Sequence, residues 1–361
     1  MRAWLRRGLK AAGFLLLNLF VSILLLDGAL ALPLAFPGLA RHLPDNLLAP
    51  SQQLYIENRS IISFNPACVG YDPELTYSFK PHADCLQDTG MVRARYRINS
   101  AGFRDDEASL ATPEIIVLGD SHAMGWGVEQ NETFGEILER QSGRHVLNTA
   151  IASYGTSREM RLLDRVDTSR LKYLIIQYCD NDVIENRVFL YHTHKIGQNV
   201  IVPRSEEDYR QIVEAEKKKG QYFPGKYTLQ SVVLLFRRME KAKEEKSKDI
   251  ERKKRDLLEE VMAFLNAVTK GSLKTDLSQV RILVLQVNPH SGGDGKFLSF
   301  LARYATVSGN PPYVQNLRIL DLSQILKRPE HFFKLDDHLN PAGHRAIAEL
   351  LALAIRQWDT A

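Results

Sequence analysis

The chain has 361 residues, of which 44% are hydrophobic and 25% are charged. This composition is typical of a globular protein and excludes a largely disordered or collagen-like chain. Forty-seven Lys and Arg against 43 Asp and Glu leave a net charge of +4, which is too small to indicate a nucleic-acid partner. With three cysteines and no CxxC pair, the chain has neither a disulfide scaffold nor a zinc motif, so we predict no metal and no cofactor.

The N-terminus begins with a basic flank that precedes a long apolar run, Ala11 to Leu26. The basic residues are Arg2, Arg6, Arg7 and Lys10. This order predicts a cytoplasmic N-terminus and export of the rest of the chain. Residues 1–40 are either a cleaved signal peptide, with an A-x-A site at Ala29 and Ala31, or an uncleaved anchor. The length of the run favours the membrane anchor.

Residues 41–110 are rich in turn formers, and we predict an irregular extracytoplasmic extension there. Cys68 and Cys85 flank one short polar segment of it. In an oxidising compartment these two cysteines could form a disulfide, and two unpaired thiols are the alternative. Cys179 lies in an apolar, strand-like run and is predicted to be a buried thiol.

From Glu114 onward, short apolar runs alternate with helical stretches. The runs are Ile115–Leu118, His145–Leu147, Tyr173–Tyr178, Ile282–Val287 and Arg318–Leu322. Runs that are this short and apolar throughout are typical of parallel strands buried on both faces. The helix candidates are Thr133–Gln141, Ser157–Val166 and Pro341–Gln357. The alternation predicts an α/β domain over residues 111–361, with about five parallel strands and helices on both faces of the sheet.

The stretch 187–280 interrupts the alternation and is predicted to be a helical insertion. Its residues 241–256 carry mixed charge, which favours a solvated helix. Apolar residues at helical spacing follow and predict a crossover helix that packs on the sheet. They are Leu257, Leu258, Val261, Met262, Leu265 and Val268.

Polar segments follow four of the apolar runs. They are Gly119-Asp-Ser-His122, Asn148 to Gly155, Asp180-Asn-Asp182, and Asp336-Asp-His338. Ligands of open parallel sheets bind outside the carboxyl ends of the strands, so we expect these segments to converge. Ser, Asn, Asp and His side chains would then supply a nucleophile, an oxyanion donor, an orienting acid and a base.

Together these segments resemble blocks I, II, III and V of the SGNH/GDSL hydrolase superfamily, over about residues 96–357. The lead-in Tyr96 to Arg104 resembles a segment often found before block I in membrane-anchored or exported members. The resemblance implies a flavodoxin-like three-layer sandwich. Three positions depart from the family pattern. His122 stands where block I usually has an apolar residue, Ser153 stands at the block II glycine, and Cys179 stands where block III often has Gly.

Carried over to this sequence, the resemblance implies that Ser121 is the nucleophile and His338 the general base. Asp336 matches the acid of a D-x-H motif, with Asp337 as the alternative, and Asn181 matches the oxyanion asparagine. The block II donor of the oxyanion hole, beside the Ser121 N–H, is the N–H of either Ser153 or Gly155.

The predicted function is a membrane-anchored serine esterase with an extracytoplasmic (periplasmic or cell-surface) catalytic domain. Its substrates would be acyl or acetyl esters, on a carbohydrate or cell-envelope glycan, and its partners would include the membrane but no nucleic acid. An O-acetyltransferase of exopolysaccharide modification is one alternative, and a non-catalytic glycan-binding or scaffold protein is another. The acyl chain length, the acceptor and the oligomeric state stay open.

Overall fold

The computed structural model describes residues 2–40, 42–192, 205–289 and 293–360. Part of the predicted insertion, residues 193–204, lies outside the described residues. The chain forms two compact units. The first comprises Met1–Arg59, Lys218–Lys248 and Lys334–Asp336, and the second comprises Ser60–Lys217, Asp249–Phe333 and Asp337–Ala361.

The strands are β1 (Val69–Asp72), β2 (Thr76–Phe79), β3 (Asp84–Asp88), β4 (Arg93–Arg97), β5 (Ile115–Leu118), β6 (Val146–Asn148), β7 (Tyr173–Tyr178), β8 (Arg281–Gln286) and β9 (Arg318–Leu320). The helices are α1 (Arg2–Ala35), α2 (Pro37–Ala40), α3 (Asp45–Asn58), α4 (Ser121–Met124), α5 (Phe134–Ser142), α6 (Thr156–Leu162), α7 (Asp182–Tyr191), α8 (Glu206–Lys219), α9 (Lys226–Ser247), α10 (Ile250–Lys270), α11 (Lys296–Ala305), α12 (Pro312–Gln315) and α13 (Pro341–Asp359). Short 3-10 helices lie at Ile62–Phe64, Ala108–Leu110, Gln130–Glu132 and Leu163–Arg165.

In the first unit, α1 packs against α3 and α9. Within α1, the span Arg7–Ala35 has 29 residues, and its most apolar 18-residue window has a mean hydropathy of 2.3 and is only 6% buried. This helix is therefore long and apolar enough to cross a membrane.

In the second unit, five parallel strands form one sheet in the order β6-β5-β7-β8-β9. The two central strands β5 and β7 are buried along their whole length, as expected for strands covered on both faces. α5 packs with α13, and α10 packs with α6, α7 and α11. The predicted α/β, flavodoxin-like fold is confirmed, and each predicted apolar run forms a strand.

Before this sheet, the chain forms two antiparallel hairpins, β1-β2 and β3-β4. Their inward side chains are large and apolar, among them Tyr77, Phe79 and Tyr96, which are nearly fully buried. The segment predicted to be irregular with short strands thus contributes side chains to the hydrophobic core of the second unit.

Candidate active site

Ser121 is the first residue of α4, directly after the turn that follows β5. The turn requires Gly119, because a Cβ there would lie 2.6 Å from the Ala123 Cβ and 2.7 Å from Gln177 Oε1. Gln177, on β7, accepts hydrogen bonds from the amides of Asp120 (3.2 Å) and Ala123 (3.1 Å). The Ser121 hydroxyl therefore stands on a tight turn that the neighbouring strand holds in place.

The Ser121 hydroxyl contacts His338, which lies 217 residues further along the chain. His338 Nε2 and Ser121 Oγ are 2.7 Å apart, which is hydrogen-bond distance for a nucleophile and its base. His338 stands just before α13, whose N-terminus Asn340 caps by accepting from two amides of the first turn. The Phe333 N–H also donates to the His338 carbonyl at 3.0 Å, so both sides of the loop are fixed.

Two aromatic side chains surround the His338 ring. Trp126 stacks on it with ring centroids 4.7 Å apart and planes 15° apart. His122, the residue that departs from the block I pattern, lies with its ring centroid 4.9 Å from that of His338. Both side chains are buried, and they restrict the movement of the imidazole ring. Sequence reasoning did not identify Trp126, because no motif in its vicinity marks it.

The loop that carries Trp126 is held by Arg104, which is only 2% exposed. Its guanidinium donates to backbone carbonyls within residues 124–128, including Met124 (3.0 Å) and Val128 (2.6 Å). It also lies 3.7 Å from the centroid of the Tyr96 ring. Tyr96 and Arg104 are the two ends of the lead-in that resembles the segment before block I. This lead-in therefore holds the loop whose Trp126 stacks on the His338 ring.

Asp337, in the second unit, contacts the base directly. Its Oδ1 lies 3.2 Å from His338 Nδ1, and its side chain is 15% exposed. The two ring nitrogens of His338 thus contact Ser121 and Asp337, which favours an acid–base arrangement over a metal centre.

Asp336 belongs to the first unit, where its carboxylate is completely buried. Arg59 at the end of α3 pairs with Oδ1 at 2.6 Å, and the Tyr55 hydroxyl donates to Oδ2 at 3.0 Å. These two partners hold the orientation of the carboxylate. Sequence reasoning did not identify either of them, because they lie far from Asp336 in the chain.

Asn181 lies beside the serine turn. Its Nδ2 donates to Asp120 Oδ2 at 3.2 Å, and Asp120 Oδ1 accepts from the His122 N–H at 2.9 Å. The two block II candidates differ in their surroundings. The Gly155 N–H donates to Glu185 Oε2 at 3.3 Å, whereas Ser153 is exposed and has a φ of +63°.

Buried acids lie next to these loops, and no sequence motif marks them. Glu185 forms a buried ion pair with Arg158 at 2.7 Å. Burial, together with the charges of Asp182 and Asp120, raises the pKa of the Glu159 carboxyl well above its usual range. Burial and the Asp120 charge do the same to the pKa of Asp182. The Glu159 and Asp182 carboxyl groups therefore favour their protonated forms.

The cysteines are arranged as follows. Cys68 and Cys85 form a disulfide, with Cα atoms 5.7 Å apart, which connects the segment before β1 to β3. Cys179 is a free, buried cysteine at the end of β7, and burial raises the pKa of its thiol well above the usual value.

No protein-family model and no curated protein matches this chain. Similar solved structures include a protein described as lipolytic, of the G-D-S-L family, from Desulfitobacterium hafniense. It has 13% identity and a TM-score of 0.33, and the match covers 66% of this chain and 97% of that one. A carbohydrate esterase family 2 enzyme with a carbohydrate binding domain, from Corynascus thermopiles, has 14% identity and a TM-score of 0.36 (67% and 64% covered).

An acetyl xylan esterase from Butyrivibrio proteoclasticus has 11% identity and a TM-score of 0.35, and the match covers 68% of this chain and 64% of the esterase. The chain therefore spans just under two thirds of the length of each of these two esterases.

Proposed function

We propose that this chain is a serine esterase in which Ser121 is the nucleophile and His338 the general base. The observation that carries the proposal is the 2.7 Å contact between Ser121 Oγ and His338 Nε2, on the turn that Gly119 and Gln177 fix. A serine hydroxyl is a weak nucleophile at its free pKa and needs an adjacent base of this kind.

In the proposed reaction, Ser121 Oγ attacks the ester carbonyl carbon while His338 Nε2 accepts the hydroxyl proton. The negative charge moves to the carbonyl oxygen, where the Asn181 side chain, the Ser121 N–H and the Ser153 N–H donate. We choose Ser153 over Gly155 because the Gly155 amide already donates to Glu185. Collapse of the intermediate expels the alcohol, which takes the proton from His338, and water then hydrolyses the acyl-enzyme by the same steps.

We propose Asp336 as the acid that orients His338 and stabilises its protonated ring. Its complete burial and its two fixed partners, Arg59 and Tyr55, support this choice, because an orienting group must itself be held. Asp337 is the alternative, and its support is the 3.2 Å approach of Oδ1 to Nδ1.

We further propose that α1 anchors the protein in a membrane and that catalysis takes place on the extracytoplasmic side. The basic flank before the apolar run of α1 supports this topology, and so does the Cys68–Cys85 disulfide, which persists in oxidising compartments. In that compartment, acyl or acetyl esters of a carbohydrate or cell-envelope glycan are the proposed substrates.

Fluorophosphonate labelling of the full-length protein in detergent tests the nucleophile. The native protein should be labelled at Ser121, and Ser121→Ala should abolish both the labelling and the turnover of p-nitrophenyl acetate. Ser153→Ala is the matched control, because it removes a nearby exposed hydroxyl but keeps the backbone N–H.

Labelling that persists in Ser121→Ala would remove this residue from the nucleophile role. A native protein that neither reacts with the probe nor turns over short-chain or long-chain esters would instead favour the binding-protein alternative. Turnover that rises when a glycan acceptor is added, with acyl product on the glycan, would identify a transferase.

A further inference from the structure

The first half of α9 presents its apolar side chains outward. The exposed fractions are 59% for Leu229, 46% for Val232, 58% for Leu235, 61% for Phe236 and 59% for Met239. From Leu229 to Phe236 the exposed side chains are all apolar, and the exposed Arg237 and Arg238 follow. An apolar surface of this kind is unusual for a helix in water, where the apolar stripe faces the core.

Polar side chains of the same helix segment contact α1 and α3. Gln230 accepts a hydrogen bond from Asn58 of α3 at 2.8 Å, and Thr228 Oγ1 lies 3.5 Å from the Ile23 carbonyl of α1. Polar contacts between helices with an apolar exterior are typical of helices packed in a bilayer. The segment therefore has an apolar side suited to lipid and a polar side that contacts α1 and α3.

Asp27 fixes the position of α9 along α1. It lies within the apolar span and is completely buried. Its carboxylate accepts from the Tyr222 hydroxyl (2.7 Å) and from the amides of Gly225 (3.1 Å) and Thr228 (2.9 Å). The carboxylate thus caps the N-terminus of α9, where free amides favour negative charge.

The depth of Asp27 follows from helix geometry. At 1.5 Å per residue, it lies about 24 Å along α1 from Ala11, the start of the apolar run, and so falls inside a hydrocarbon core of about 30 Å. Placing an acidic side chain at this depth costs free energy unless polar groups of the protein surround it. The start of α9 supplies those groups, which places it at the same depth.

We propose that α9 from Lys226 to Phe236 is a second membrane-embedded element, inserted beside α1 into the outer leaflet of the same bilayer. The inference rests on the proposed anchoring by α1. Leu25 and Leu26 of α1 are exposed as well, so one hydrocarbon phase would cover both helices. After Phe236 the helix becomes charged, and the exposed Arg237, Arg238, Lys241 and Lys243 are available to lipid phosphates.

Fluorescence quenching in lipid vesicles tests the inference on the full chain. Single cysteines are introduced by Phe236→Cys, by Leu16→Cys in α1 and by Lys246→Cys at the charged end of α9. Each is labelled with an NBD maleimide, and the unsubstituted chain, in which Cys179 is buried, gives the background. The proteins are reconstituted in phosphatidylcholine and phosphatidylglycerol vesicles with or without doxyl-labelled lipid.

The doxyl lipid should quench the probes at positions 236 and 16 at least about twofold and leave the probe at position 246 unchanged. Quenching at 16 but not at 236 would overturn the inference and leave the anchor in place. No quenching at either position would contradict the anchor itself. A probe at 236 that is shielded from water but not quenched by lipid would show that protein, such as a second copy of this chain, covers α9.

Discussion

The pH dependence of stability offers a test of the packing around the site, through His344 on the first turn of α13. Its imidazole is 1% exposed, and Nδ1 accepts a hydrogen bond from the Phe134 N–H at 3.2 Å. Burial, reinforced by the charges of His122 and Arg104, lowers the pKa of His344 from 6.5 to about 3. The structure therefore requires the neutral ring, since a proton on Nδ1 would face another donor.

The sign of the effect follows from this lowered pKa. The unfolded chain takes up the proton near pH 6.5 and the folded chain only near pH 3, so stability is lost as the pH falls between these values. At 1.36 kcal/mol per pH unit, the free energy of unfolding should fall by about 2 kcal/mol between pH 7.5 and pH 5 because of this residue.

Urea unfolding of the detergent-solubilised chain, followed by tryptophan fluorescence, measures this loss at each pH. His344→Gln removes the titrating group, so the difference in unfolding free energy between native protein and variant should shrink by about 2 kcal/mol from pH 7.5 to pH 5. His145→Gln, which replaces an exposed histidine, is the matched control for loss of an imidazole. A difference that stays constant over this pH range would refute the buried, neutral assignment of His344.

Three further predictions concern the site and its surroundings. Asp336→Asn should lower kcat more than Asp337→Asn, by about a hundredfold or more, and equal or reversed losses in steady-state kinetics would transfer the role of the acid to Asp337. Asn181→Ala should lower kcat by about 10²–10³-fold, because it removes an oxyanion donor, and an unchanged kcat would exclude that role. The Cys68–Cys85 bond should leave one free thiol in the denatured, unreduced protein, with catalysis barely affected by its reduction. Three free thiols would contradict the bond.

The strands could be predicted from the sequence because parallel strands buried on both faces are local apolar runs. β5 and β7 begin and end at the residues that the runs indicate, Ile115–Leu118 and Tyr173–Tyr178. β6 is shifted by one residue from the predicted run, to Val146–Asn148, and Asn148 makes contacts of its own. Its N–H donates to the buried Asp105 at 2.7 Å and its side chain donates to the Ala123 carbonyl, contacts that no local pattern reveals.

The residues of the proposed site could be predicted because each follows a strand that ends at the same edge of the sheet. The residues that hold them in place could not be predicted. Trp126 stacks on the base only because Arg104 fixes the loop that carries it, and the sequence shows neither the stacking nor the buried guanidinium. Similarly, the sequence of α9 does not show which of its faces is outward. The contacts of Gln230 with Asn58 and of Thr228 with Asp27 show that the apolar face is the exposed one.

The choice between the two aspartates shows why a motif alone does not assign a role. Adjacent residues satisfy the same local pattern, and what distinguishes them is a partner elsewhere in the chain. For Asp336 that partner is Arg59, 277 residues away and only 11% exposed. Removing one member of a buried ion pair typically destabilises a protein by about 3–5 kcal/mol. A loss of activity in Asp336→Asn therefore indicates a role in catalysis only where the variant is shown to stay folded at the assay temperature.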